Sequence, residues 1–130
     1  MIVDSSALLA ILLKEPEGRL IDKAIADGGD CSISSGNYLE TSIVALARSG
    51  PDGLRDLDLL IARFRINVVP FTESQAHLAR QAFARYGRGR HPAGLNFGDC
   101  MAYALAKETG EELLFKGTDF ALTDVAVAAY

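Results

Sequence analysis

Four carboxylates stand where they can do chemistry together: Asp4, Glu40, Asp99 and Asp119. Asp99 opens a helical segment, with Ala102, Tyr103 and Ala106 following on one face, and no Lys or Arg lies three or four residues away to pair with it. Glu40 is equally bare, and the spacing puts it on the apolar stripe of Ile43, Val44 and Ala47. Singly, each acid has an ordinary role: Asp4 as an N-cap, Asp99 as a first-turn acid favoured by the helix dipole, Asp119 in an Asx-turn, Glu40 paired with a distant Arg. Together they are costly, because two carboxylates about 4 Å apart repel by roughly 4 kcal/mol at an effective dielectric of 20. A hard divalent cation with oxygen ligands relieves that cost, and Mg²⁺ needs only one or two carboxylates per ion besides water. His77 and His91 lie outside the acidic segments, so zinc is not suggested.

The elements that must position these acids alternate along the chain. "MIVD" reads as a buried strand ending in Asp4, followed by a helix over Ser5–Leu13. A second helix carries Pro16 in its first turn and stops at Gly28-Gly29. "CSIS" is the second strand, and periodicity predicts helices over Asn37–Arg48 and Leu54–Phe64 with a break at Gly50-Pro51. "INVVPF" is the third strand, Ala76–Tyr86 a helix, "ELLFKG" the fourth strand and "DVAVAA" a short fifth. The alternation predicts one domain over residues 1–130, an α/β/α sandwich around a parallel sheet. Ligands of such sheets gather outside the carboxyl ends of the strands. Asp4 and Asp119 follow strands there, and the first turns of two helices bring Glu40 and Asp99 to the same rim. The apolar strip Leu20, Ile21, Ile25, Leu39 and Ile43 is read as mostly core, with part of it available to a partner helix or a second copy of the chain.

Composition narrows the classes. A chain of 130 residues with 49% hydrophobic content is long enough for a real core. Cys31 and Cys100 have no metal-ligand spacing and read as small apolar residues in a reducing compartment. Asp4 interrupts any basic leader, and the run Ala7–Leu13 is too short to span a bilayer, so the expectation is a soluble cytoplasmic domain without a membrane. The net charge of −4 does not advertise a polyanion partner, but its distribution does. Between Ser74 and Gly98 there is no Asp or Glu, while Arg80, Arg85, Arg88 and Arg90 all fall there. Arg80 reads as a solvated helix residue. Arg88 and Arg90, in the Gly-rich loop before Asp99, read as phosphate contacts. Lys14 and Lys116 are placed beside the same rim.

At this point the chain resembles the PIN-domain ribonucleases of the VapC toxin family. The resemblance rests on "IVDSSALLAILLKEPE", "SSGNYLETSIV", "LNFGDCMAYALAKETG" and "LLFKGTDFALTDV", in that order and covering essentially the whole chain. It implies a metal-dependent endoribonuclease, using Mg²⁺ with Mn²⁺ able to substitute, that acts on RNA as the toxin of a toxin–antitoxin pair. It also implies a VapB-type antitoxin partner and a homodimer. Carried over, Asp4, Glu40, Asp99 and Asp119 are the catalytic and metal-binding quartet, and Ser6 is the hydroxyl that orients a water or the first carboxylate. Thr118 stands where many relatives have Asp or Asn, which leaves Asp119 the least secure member. A phosphorelay receiver wants an acid pair beside the first strand and an Asp ending the third; here Ser5-Ser6 follow Asp4, and Pro70-Phe71 ends the third strand. A haloacid-type phosphatase wants a second Asp where Ser6 stands. The remaining alternative is a non-catalytic module of the same fold that binds RNA or protein.

Overall fold

The computed structural model describes residues 1–130. Four parallel strands, β1 (Ile2–Val3), β2 (Ser32–Ser34), β3 (Asn67–Val69) and β4 (Leu113–Leu114), form one sheet in the order β3-β2-β1-β4. The first strand is therefore central. Ile2 pairs with both Ser32 and Leu113, and the amide of Asp4 donates to the Leu114 carbonyl. Successive strand residues point to opposite faces, and each face has its own core. Ile2 and Leu113 pack under α4 (Glu73–Tyr86) and α5 (Phe97–Thr109); Val3 and Leu114 pack under α1 (Ser5–Leu12), α2 (Gly18–Asp27) and α3 (Ser35–Phe64). That is the expected α/β/α sandwich. No helix is long and apolar enough to cross a membrane.

The helices begin where the local chemistry allows. Asp4 caps α1 by accepting from the Ser6 amide, Thr72 caps α4 by accepting from the Gln75 amide, and Asn96 with Asp99 forms a reciprocal capping box on α5. The two helices expected on either side of Gly50 are the two arms of α3. Gly50 takes φ 63° and ψ −155°, a backbone that suits glycine, and Pro51 can start the second arm because a first-turn N–H has no helical acceptor to lose.

Several expectations need correction. Pro16 lies ahead of α2, which starts at Gly18. The fifth strand shrinks to one bridge between Val127 and Leu113, because the preceding Asp124 is drawn aside to the Tyr103 hydroxyl and Lys107. The apolar strip divides: Ile21 and Ile25 are buried, but Leu20, Leu39 and Ile43 are each more than half exposed, joined by Leu46 at 47%. Cys31 and Cys100 are free and buried.

Candidate active site

The site is assembled where the carboxyl end of β1 meets the first turns of α1, α3 and α5. Asp4 follows Val3 directly, and its position in the middle of the sheet leaves it only 3% exposed. One carboxylate oxygen, Oδ2, accepts from the Ser6 amide at 2.9 Å and from the Ser6 hydroxyl at 2.6 Å. The hydroxyl of Ser6 in turn accepts from the Lys116 amide at 3.0 Å, which ties the turn after β4 to that after β1. The other oxygen, Oδ1, is buried without any hydrogen-bond partner. Leaving a carboxylate oxygen dry and unpaired is expensive. Burial accordingly pushes the Asp4 carboxyl up to about 6; the Ser6 hydrogen bonds pull against this, and the charges of Asp99 and Glu40 reinforce it.

Asp99 occupies the first turn of α5. Its Oδ2 accepts from the Asn96 amide at 2.8 Å while its own amide donates to Asn96 Oδ1 at 2.9 Å, so one carboxylate oxygen is committed to the cap. Burial raises its pKa above the usual carboxylate range. The Asn96 amide and the positive charge of Arg88 oppose that shift, and the charges of Asp119 and Glu40 add to it. Arg88, at the exposed start of the loop before α5, thus lies within electrostatic reach of Asp99.

Glu40 is half-buried in the first arm of α3, with its carboxylate directly over Gly98. A Cβ at position 98 would overlap Glu40 Oε2, so glycine there lets the carboxylate lie against the backbone beside Asp99. Asp119 is exposed at the head of a short 3₁₀ turn, Phe120–Leu122, with Thr118 beside it. Phe120 beneath them is buried against Phe115 and anchors the turn.

Asp4, Glu40 and Asp99 therefore share one electrostatic neighbourhood, which Asp119 borders through Asp99. Like charges keep them spread, and no three His, Cys, Asp or Glu side chains close into a cage that could grip an ion by themselves. Of the basic residues expected beside this rim, Lys116 is instead held by Glu15, with Glu17 at 3.8 Å. Lys14 lies in the turn after α1 with φ 54°, lining a cleft with Glu15 and Asp22. Arg90 is exposed, its amide closing a turn on Gly87.

Sequence reasoning missed the residue that holds the three helix starts together. Asn37 is fully buried; its amide nitrogen donates to the Gly98 carbonyl at 2.9 Å and reaches the Ser5 hydroxyl at 3.3 Å. Its backbone carbonyl accepts from Ser5 Oγ and Thr41 Oγ1. The inward stripe of this arm is Asn37, Thr41 and Ala45, not the one containing Glu40, which sits at its flank. The four-residue spacing of these small and polar residues was the available signal.

A parallel α/β/α sheet with acids at its carboxyl rim defines a class, and the model of the PIN domain matches residues 1–126. Ribonuclease VapC of Mycolicibacterium smegmatis is 52% identical over 126 residues, covering 97% of this chain and 98% of its own. The chain belongs to the PIN-domain family, within its VapC branch. Solved structures share the fold: VapC20 of Mycobacterium tuberculosis, a sarcin-ricin-loop-cleaving toxin, has a TM-score of 0.79 at 15% identity over 96% of this chain and 95% of its own. A toxin–antitoxin complex from Klebsiella pneumoniae has a TM-score of 0.74 at 18% identity, covering 99% and 97% of the two chains.

Proposed function

We propose that this chain is an endoribonuclease that hydrolyses RNA phosphodiester bonds with the help of Mg²⁺ or Mn²⁺, and that it is the toxin of a pair with a VapB-type antitoxin. The observation that carries the reading is Asp4: a buried carboxylate with one oxygen unpartnered, in the field of Asp99 and Glu40. The donors are all carboxylate oxygens, which suits a hard divalent ion, and their spread suits one that keeps much of its water. Asp4 and Asp99 would hold that ion directly, with Asp119 on the outer side.

When bound, the ion would supply Lewis acidity for water activation and positive charge to offset that developing on the phosphoryl oxygens. The protein's own residues do the rest. Ser6 fixes the Asp4 carboxylate, leaving Oδ1 free to ligate. Glu40 takes the proton of the attacking water, and Thr118 hydrogen-bonds solvent at the rim. Arg88 and Arg90 hold phosphates of the strand. The exposed apolar residues Leu20, Leu39, Ile43 and Leu46 receive a helix of the antitoxin. A homodimer belongs to the same reading.

The direct test is incubation with total RNA. Cleavage with Mg²⁺ or Mn²⁺ and none with EDTA is expected; intact RNA under every condition would leave the non-catalytic module in its place. In the double variant Arg88→Ala, Arg90→Ala, binding of single-stranded RNA should weaken and its salt slope flatten by about 0.7 per lost contact. Because both residues are exposed, the melting temperature should hold; an unchanged slope would return them to a solvated loop. Gly98→Ala tests Glu40 without touching its carboxylate. The overlapping atom is the end of a flexible side chain, so the cost in stability should stay within about 1 kcal/mol, while cleavage falls by about a hundredfold as the base is displaced. Wild-type cleavage in that variant would exclude Glu40 as the base.

A further inference from the structure

Every hydrogen bond that joins α3 to α1 or to α5 passes through one residue, Asn37. Its Nδ2 donates to the Gly98 carbonyl at 2.9 Å and reaches Ser5 Oγ at 3.3 Å, and its backbone carbonyl accepts from that same hydroxyl. Each partner is the chain neighbour of an acid: Ser5 follows Asp4, and Gly98 precedes Asp99. Glu40 lies one helical turn beyond Asn37 on the same arm. The rest of the α3–α5 approach is bare of side chain on one side. A Cβ at Gly36 would strike Met101 Sδ, and one at Gly98 would strike Glu40 Oε2. Gly98 therefore carries two contacts at once, the amide of Asn37 on its carbonyl and the Glu40 carboxylate against its backbone.

Packing alone does not account for an amide in this place. Asn37 is fully buried, and its Oδ1 has no hydrogen-bond partner. A dry, unpaired oxygen is costly, and an apolar side chain of the same branched shape would not incur that cost. Nor do the partners depend on the Asn37 side chain for their own hydrogen bonds. The Gly98 carbonyl belongs to the ladder of α5, and Ser5 Oγ keeps the Asn37 backbone carbonyl at 3.1 Å. What the side chain adds is a fixed spacing between three helix starts, each with one acid on it. Displacement of a reacting group by about 1 Å costs about a hundredfold in rate.

We propose that Asn37 is a positioning residue of the acid site, setting the separation of Asp4, Glu40 and Asp99 at the expense of stability. The role rests on the ribonuclease reading and adds to it a residue that RNA cannot reach, because it is fully buried.

The test compares chemistry, ion binding and stability in the same variants. Asn37→Leu keeps the branched shape and Asn37→Ala adds no bulk; neither can donate to Gly98. In both, kcat for RNA cleavage should fall by roughly ten- to a hundredfold. KM should hold, because Arg88 and Arg90 lie on another loop. Mn²⁺ alone, followed by the electron paramagnetic resonance signal of the free ion, should bind roughly ten- to a hundredfold more weakly. The melting temperature in EDTA should stay within a few degrees of wild type or rise, since the unpaired oxygen is gone. Thr41→Val is the control: it removes a buried hydrogen bond of the same stripe, from Thr41 Oγ1 to the Asn37 carbonyl, and should cleave at the wild-type rate. Wild-type kcat and Mn²⁺ affinity in both Asn37 variants would overturn the positioning role and leave the ribonuclease reading standing. Unfolding of both, or an equal loss of cleavage in Thr41→Val, would make Asn37 an ordinary core residue and overturn it as well. A wild type that neither cleaves RNA nor binds Mn²⁺ would remove both readings.

Discussion

Asp99→Asn will lower RNA cleavage by about a hundred- to a thousandfold, the cost of loosening the cation that offsets charge in the transition state, while the protein still folds. The reason lies in the double duty of this side chain. One oxygen closes the capping box with Asn96; an amide oxygen can accept that same hydrogen bond, so α5 keeps its first turn. The loss of a first-turn charge costs about 0.3–1 kcal/mol through the helix dipole. Relief of repulsion from Asp119 and Glu40 offsets part of it. Chemistry and folding therefore separate in this variant: a fall in kcat with a melting temperature within a few degrees of wild type is the expected pair of results. Near-normal cleavage would take Asp99 out of the ion's coordination.

The second large effect is on stability. In metal-free buffer the Asp4 carboxyl has a folded-state pKa of about 6, against 3.8 for the ordinary group. Between those values the native chain binds more protons than the unfolded one, so stability falls as pH rises through that window. Above about pH 6 the whole penalty applies, on the order of 3 kcal/mol for a shift of this size. Asp4→Asn should remove it, giving a metal-free protein whose melting temperature declines less from pH 4 to pH 7, with the raised Asp99 carboxyl still contributing. A divalent cation at a hundredfold excess over its Kd adds about 2.7 kcal/mol, which is about 10 °C for a chain of this length. Asp99→Asn should forfeit most of that gain. Equal melting temperatures with EDTA and with millimolar Mg²⁺ or Mn²⁺ at pH 7 would remove the metal from the proposal.

Much of this arrangement is legible in the sequence, for reasons that differ from residue to residue. Asp4 is readable because an apolar run of strand length ends on it, and Asp99 because Asn96 and the periodicity after it mark a helix start. Both are local signals. Glu40 is found for a partly mistaken reason: it flanks the stripe of Asn37, Thr41 and Ala45 rather than lying on the inward one. Asn37 itself escapes because its partners, Ser5 and Gly98, lie 32 and 61 residues away, and its four-residue spacing from Thr41 and Ala45 marks a face without showing that the face is buried. Periodicity also shows that α2 and α3 have apolar faces without showing what covers them. Hence Ile21 and Ile25 are core while Leu20, Leu39 and Ile43 face outward. The fifth strand fails because Asp124 finds Tyr103 and Lys107, a competition that alternation of Val and Ala cannot reveal.

The central place of β1 in the sheet has a consequence for synthesis. The strand is made before both of its neighbours; one of them, β4, begins at Leu113, and the Asp4 amide is not hydrogen-bonded until Leu114 arrives. Parallel pairing between such distant segments is slow and comes late. At about 5–20 residues per second, the first acid stays unanchored for as long as the residues between Asp4 and Leu114 take to be added, and for most of that time the helix bearing Asp99 is not yet made. A nascent chain that has not yet added β4 therefore lacks the assembled acid rim. The interval between emergence and activity is written into the strand order itself.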